Sequence, residues 1–269
     1  REIAALHEIF DVRDIKTDVR ITATILCPGN NEVTAQSLTD HMDTLVENIV
    51  AFVKEYGLDG VDFDWEYPDQ SAQWRVYGQF IKKLDQAFDR EFGDSVTIGV
   101  ALASWGVGFS RSAMRAIDEV HVMAYDLFDD DGCHSTFMTG AYNPMRYFNG
   151  LQYPREQFNL GVPYYGRPVD GGAYWPSWSQ VANEPDAYWS NAFPGNYTDE
   201  NGNPVVLDDY YNCPSMVADK TAYAVSLGIG GMMLFHMDCD QTMDNPNSLT
   251  LAVEKTLEQR VANYRAEAK

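Results

Sequence analysis

The chain is poor in positive charge. Its 269 residues carry 19 Lys and Arg against 40 Asp and Glu, a formal net charge of −21. A surface this acidic repels phosphate backbones and anionic lipid, so no nucleic acid and no membrane is expected among its partners. Cysteine is scarce too. Cys27, Cys133, Cys213 and Cys239 form no C-x-x-C pair and have no companion histidine spacing, so a structural zinc site is not expected. Four cysteines allow three pairings and nothing selects one, and buried free thiols are the expectation. No apolar run is long enough to span a bilayer, and no leader peptide is visible. The chain opens on Arg1 rather than Met, so removal of an upstream segment is expected. No G-x-G-x-x-G follows a strand pattern, which leaves a dinucleotide site without support.

What is present is a β–α alternation. Arg1 to about Phe10 reads as a helix. Val19–Leu26 reads as a strand ending at Pro28-Gly29, and Ser37–Tyr56 as one long helix closed by Gly57. Trp74–Phe92 is a helix closed by Gly93. Val96–Ser104 and Val120–Tyr125 read as strands with a short helix, Ser112–Ile117, between them. A helix is expected to start at Pro144–Phe148 and a strand at Asn159–Tyr164. Ser215–Leu227 reads as a helix, Gly230–Phe235 as a strand and Leu249–Ala266 as a closing helix. Short apolar strands alternating with amphipathic helices predict an α/β fold with a parallel sheet, either a (β/α)8 barrel or a doubly wound sheet. The length suits one barrel domain over residues 1–269. Residues at about 168–207, rich in Gly, Pro, Trp, Tyr and Asn, read as an elaborate loop or small insertion. Its aromatics either stack on sugars or form the loop's own core. Asn196-Tyr197-Thr198 fits a glycosylation sequon, relevant only to a eukaryotic secretory source.

One stretch breaks the ordinary rules. Leu58–Pro68, LDGVDFDWEYP, holds four carboxylates interleaved with Val61, Phe63 and Trp65. Acidic residues are poor strand formers, yet the alternation is that of a strand. With a period of two, Asp62, Asp64 and Glu66 share one face and the apolar residues share the other. The apolar face is expected to pack on helices, which points the acids inward with Glu66 at the carboxyl end, where barrel enzymes do their chemistry. Like charges roughly 6–7 Å apart along one face cannot all ionise cheaply when shielded from water. One carboxyl must keep its proton, and a carboxyl held neutral near pH 7 can act as a general acid. A calcium loop would need Gly at its sixth position and Glu at its twelfth, and this run has neither.

These residues resemble the signature of glycoside hydrolase family 18, the chitinase family, DxxDxDxE on the fourth barrel strand. Asp59, Asp62, Asp64 and Glu66 match it. Three more matches follow in order: Met123-Ala124-Tyr125-Asp126 at the sixth strand, Leu160–Arg167 (LGVPYYGR) at the seventh, and Gly230–Asp238 (GGMMLFHMD) at the eighth. The resemblance implies a (β/α)8 barrel that cleaves β-1,4 bonds of chitin or N-acetylglucosamine oligomers. It also implies a retaining mechanism in which the substrate's own acetamido group attacks, without an enzyme nucleophile. It implies the roles as well. Glu66 protonates the glycosidic oxygen and then activates water. Asp64 binds the acetamido N–H and steadies the oxazolinium, and Asp62 shares a proton with Asp64. Tyr125 donates to the acetamido oxygen, Asp126 holds the sugar at the cleavage subsite and Arg167 reaches the product side. Tyr67, Tyr165, Phe235 and Trp105 are further candidate sugar contacts. Asp59 has the wrong parity for the acidic face and reads as structural. No cofactor or metal is implied, and a secreted, cell-surface or periplasmic location is.

The sequence departs from the family in two places. Phe235, followed by His236, stands where the family carries a Trp that floors the cleavage subsite. A phenyl ring covers less sugar and lacks the indole N–H, and His236 reads as structural. Val19–Leu26 aligns best with the family's third strand, with Cys27-Pro28-Gly29-Asn30 in place of the expected glycines, and nothing before Val19 reads as the first two. Fewer than eight parallel strands are therefore predicted. An open barrel would be compensated by a homodimer, a rearranged helix or a partner segment. Two rival functions stay open: a non-catalytic glycan-binding member, and a hydrolase of the N-glycan core or of peptidoglycan. The intact Glu66 counts against the first, and the Trp65-Glu66-Tyr67-Pro68 wording counts against the glycan-core enzyme.

Overall fold

In a computed structural model, residues 19–27, 29–169, 174–198 and 201–267 are described. The helix expected over Arg1–Phe10 lies outside them. The chain divides into two compact units. One holds the described residues up to Leu102 with Gly106–Val120, and the other holds Ala103–Trp105 and everything from His121 onward.

The first unit runs β1 (Thr22–Leu26), α1 (Asn31–Asp40), α2 (Met42–Tyr56), β2 (Gly60–Asp64), α3 (Ser71–Phe92), β3 (Thr97–Leu102) and α4 (Arg111–Met114). β2 lies parallel between β1 and β3, with Asp62 opposite Thr24 on one side and Gly99 on the other. Phe63 meets Phe80 edge-on at 5.2 Å, and Trp65 meets Tyr77 at 5.3 Å. Phe63 and Trp65, the residue that follows the strand, are both buried, and burial of a side chain the size of Phe63 contributes about 1.5–3 kcal/mol. The apolar face of β2 thus packs on α3, as its alternation predicts. Gly60 is required here because a Cβ would fall 2.7 Å from the Thr97 carbonyl oxygen.

The long helix expected over Ser37–Tyr56 is in fact two. α1 starts earlier, where the Asn30 side chain accepts from the N–H groups of Glu32 and Val33, and it ends at His41. The run Thr39-Asp40-His41 consists of weak helix formers, and His41 leaves the helical region there (φ −127°, ψ 18°). Gly57 ends α2 in the left-handed conformation that its lack of Cβ permits (φ 59°). On β1, Leu26 is 72% exposed, an apolar residue left in solvent on a strand that pairs with β2.

β4 (Glu119–Val122) spans the division between the units. In the second unit follow a π-helical turn (Met138–Tyr142), α5 (Asn143–Leu151), β5 (Phe158–Pro163), β6 (Arg167–Pro168), β7 (Ala192–Thr198), β8 (Pro204–Tyr210), α6 (Pro214–Leu227), β9 (Gly231–Phe235) and α7 (Leu249–Glu267). β5 and β9 pair in parallel from Asn159–Gly231 to Pro163–Phe235. The supposed loop between them is more ordered than its composition suggests. β7 and β8 form an antiparallel hairpin that β6 extends. Between β6 and β7, Trp178 is buried in the unit's core with Tyr211, Tyr164, Val217 and Leu249, while Tyr174, Trp175 and Trp189 stay exposed. Part of the set thus forms the segment's own core.

Six strands of the β–α alternation (β1–β5 and β9) lie among the described residues, fewer than eight, as predicted. No helix among these residues is long and apolar enough to cross a membrane.

Candidate active-site residues

In the first unit the site is built on the end of β2. Asp62 and Asp64 are half-buried and Glu66 is exposed, so the acidic face runs outward to solvent at the strand's carboxyl end. Burial, then the charges of Glu66 and Asp62, push the Asp64 carboxyl up to about 6, and Asp64 also hydrogen-bonds Glu66. One Asp64 oxygen is buried with no hydrogen-bond partner among the described residues. A carboxyl in this state stores a proton near neutrality and keeps an acceptor open.

Several residues outside the motif hold this row in place. Asp59 accepts the Ile21 N–H at 2.7 Å, while its own N–H bonds the Ile21 carbonyl at 2.8 Å. It pins the start of β2 to β1, the structural part its parity predicts. Asn31, at the first turn of α1, accepts from the Trp65 indole N–H at 2.7 Å and donates to the Tyr67 carbonyl at 2.8 Å. It therefore clamps the residues on both sides of Glu66. Tyr77 from α3 is buried beside Asp62 and Asp64. Burial first, and then those acids and Cys27, hold its phenol far above the ordinary value, so it stays neutral. Burial and Asp64 likewise push the Cys27 thiol up to about 11. All four cysteines are free thiols.

In the second unit the centre is Asp126. It follows β4 in a left-handed conformation (φ 54°), so Tyr125-Asp126 lies past the strand's end rather than within it. Arg167 grips both its carboxylate oxygens, Nε to Oδ1 at 2.8 Å and Nη2 to Oδ2 at 2.6 Å, and the Tyr165 hydroxyl donates to Oδ1 at 2.9 Å. Burial opposes the Asp126 charge. The bonds from Arg167 and Tyr165 outweigh it and hold the carboxyl well below the usual carboxylate range. Arg167 is thus not a loose surface charge but one half of a bidentate pair. Tyr125 stacks on Phe235 at 5.3 Å and 17°, and Tyr165 stands edge-on to both. Phe235 is 43% exposed. Trp105 is also half-exposed. His236 rests edge-on against Trp175, with Nε2 3.5 Å from Cys239 Sγ.

Sequence reading misses Asn31, Tyr77 and His134. Tyr77 carries the helical spacing of an ordinary core residue, and Asn31 looks like part of a turn. His134 has no local signal at all. It is fully buried, and its Nε2 accepts the Asp126 N–H at 3.0 Å. Among the described residues no group of His, Cys, Asp and Glu is arranged to hold a metal ion.

A profile of Glycosyl hydrolases family 18 matches residues 10–240. A protein named "Probable endochitinase" from Caenorhabditis elegans is 24% identical over 72% of this chain and 39% of its own length. The chain spans less than two thirds of the curated relatives it matches first. Among solved structures, the GH18 chitinase ChiB from the chitin utilization locus of Flavobacterium johnsoniae superposes with a TM-score of 0.71 at 21% identity, covering 94% of this chain and 79% of that one. A class V chitinase from Nicotiana tobaccum in complex with NAG4 superposes with a TM-score of 0.70 at 15% identity, covering 91% and 82%. The likeness fixes the fold as (β/α)8-type.

Proposed function

The chain belongs to family 18 of the glycosyl hydrolases, and from that premise we propose that it hydrolyses β-1,4 bonds between N-acetylglucosamine units, as in chitin, with retention and with the substrate's acetamido group as nucleophile. The observation that carries this reading is the Asp62–Asp64–Glu66 row: Asp64, raised to about 6, is hydrogen-bonded to Glu66 and has a buried oxygen without a donor.

An acetamido N–H supplies the donor that this oxygen lacks. Glu66 protonates the glycosidic oxygen as the C1–O bond breaks, and the acetamido carbonyl oxygen closes on C1. The resulting oxazolinium is positive, and Asp64 faces it as an anion once its proton has passed to Asp62. The Glu66 carboxylate then takes a proton from water, which opens the ring at C1 and restores the starting configuration. Tyr125 donates its hydroxyl to the acetamido oxygen. The Asp126–Arg167–Tyr165 group and Tyr67 supply sugar hydrogen bonds, and Phe235 and Trp105 supply stacking surface. A mechanism of this kind draws on no cofactor.

An intact Glu66 favours hydrolysis over a binding-only role. Product analysis on N-acetylglucosamine tetramers and pentamers, with Glu66→Gln beside the wild type, tests the reading. Short oligomers from the wild type alone support it. Binding without turnover by both proteins makes the chain a glycan-binding member instead.

A further inference from the structure

Lys220 sits on α6, completely buried. Among the described residues it has no carboxylate partner. Its Nζ donates to the Ser135 carbonyl oxygen at 2.7 Å and to Asn212 Oδ1 at 2.5 Å. Asn212, also buried, donates from Nδ2 to the His134 carbonyl oxygen at 3.3 Å. Two consecutive carbonyls, of residues 134 and 135, are thus held by a lysine and the amide it orients. Ser135 stands in the left-handed region (φ 48°) and its N–H bonds the Leu127 carbonyl. Gly140, in the π-helical turn, lies so close that a Cβ there would fall 2.5 Å from Nζ and 2.7 Å from the Ser135 oxygen. The bare glycine lets that turn close over the ammonium.

An amine in such a place is expensive. Burial pulls its pKa down to about 7, and a packed apolar side chain would be cheaper for stability alone. What the two carbonyls carry is His134. Its ring is buried, and burial holds it below its ordinary pKa, so the ring is neutral and Nε2 can accept. Nε2 takes the Asp126 N–H, fixing a residue whose left-handed backbone is unfavourable by about 1–2 kcal/mol for a residue with a Cβ.

We propose that Lys220, acting with Asn212, is a positioning residue for Asp126. It fixes the 134–135 backbone, which sets the His134 ring, which holds the Asp126 N–H and so aims the carboxylate gripped by Arg167 and Tyr165. The link from Asp126 to catalysis rests on the function proposed above, whereas the link from Lys220 to Asp126 does not.

The two links separate in one set of variants of the full chain: Lys220→Met, Asn212→Ala, His134→Leu and His134→Gln. Hydrogen exchange of the Asp126 amide reads the placement. Kinetics on the N-acetylglucosamine tetramer read its consequence. The Asp126 amide is expected to exchange about tenfold faster in Lys220→Met, Asn212→Ala and His134→Leu. His134→Gln, whose side-chain oxygen can accept the same N–H, is expected to restore most of the protection. kcat/KM is expected to fall about tenfold in step with exchange. Unchanged protection of Asp126 in a folded Lys220→Met or Asn212→Ala protein overturns the proposal. If Lys220→Met does not fold, Asn212→Ala decides by the same reading. A wild type without hydrolysis defeats the proposed function and leaves the exchange measurement in force.

Discussion

Asp64 is hydrogen-bonded to Glu66, its neighbour two residues along the same face, and its carboxyl is raised to about 6. Its folded pKa lies above the ordinary value of 3.8, so the folded chain binds more protons than the unfolded chain between about pH 4 and 6. Stability from this group therefore falls as pH rises through that window. Asp64→Asn removes the buried charge. It is expected to raise Tm at pH 7 by about 2–4 °C, after allowing for the solvent that still reaches the site, and to leave Tm near the wild type at pH 4. Activity should fall by about 10²-fold or more. Thermal melts at the two pH values check the sign, and an Asp64→Asn protein less stable than wild type at pH 7 would show that the folded pKa is not raised above the ordinary value.

Asn31 is expected to matter as much for catalysis as for folding. Asn31→Ala leaves the Trp65 indole N–H and the Tyr67 carbonyl without their partner, at a cost of about 1–3 kcal/mol. Because the two bonds bracket Glu66, kcat should fall about tenfold while KM changes less. Urea melts and steady-state kinetics separate the effects, and a loss of stability with kcat unchanged would make Asn31 a purely structural residue.

The contrast between Asn31 and Glu66 shows what the sequence carries. The acids and their aromatic partners obey a period of two, so their faces can be read from spacing, and Gly57 and Gly93 mark helix ends through positive φ values that residues with a Cβ disfavour. The hairpin of β7 and β8 is hidden because Pro194 and Gly195 are poor strand residues, and its pairing is settled by partners some ten residues away. The break at His41 depends on a weak run inside a good amphipathic pattern. Lys220 is the extreme case. On a helix a lysine reads as solvated, and only the carbonyls of a distant loop make its burial tolerable.

Arg167 and Asp126 give the opposite pH signature to Asp64. Burial opposes the Asp126 charge, yet the bonds from Arg167 and Tyr165 hold its folded pKa below the ordinary value. The stability it contributes is present above about pH 4 and is lost as pH falls through the folded value. Arg167→Met is expected to cost about 2 kcal/mol at pH 7, because it strands the carboxylate, and clearly less at pH 3. Arg167→Lys keeps the charge but not the fork, so it should recover only part of the loss. Urea melts at both pH values decide it, and an equal loss at pH 3 and pH 7 would rule out an ionised Asp126 as the partner.

Phe235 offers a test in the direction of gain. Its ring is stacked on Tyr125 and 43% exposed, so an enlarged ring can extend over solvent without repacking the core. Phe235→Trp adds stacking surface and an indole N–H at the position where the family resemblance implies tryptophan. A stacking gain of about 1 kcal/mol corresponds to roughly fivefold in affinity. In a Glu66→Gln background, where turnover does not confuse binding, the N-acetylglucosamine tetramer should bind Phe235→Trp about fivefold more tightly, and Phe235→Ala about tenfold more weakly. Calorimetric titration measures both. If neither substitution moves the affinity, Phe235 does not touch the sugar, and its ring serves only to brace Tyr125.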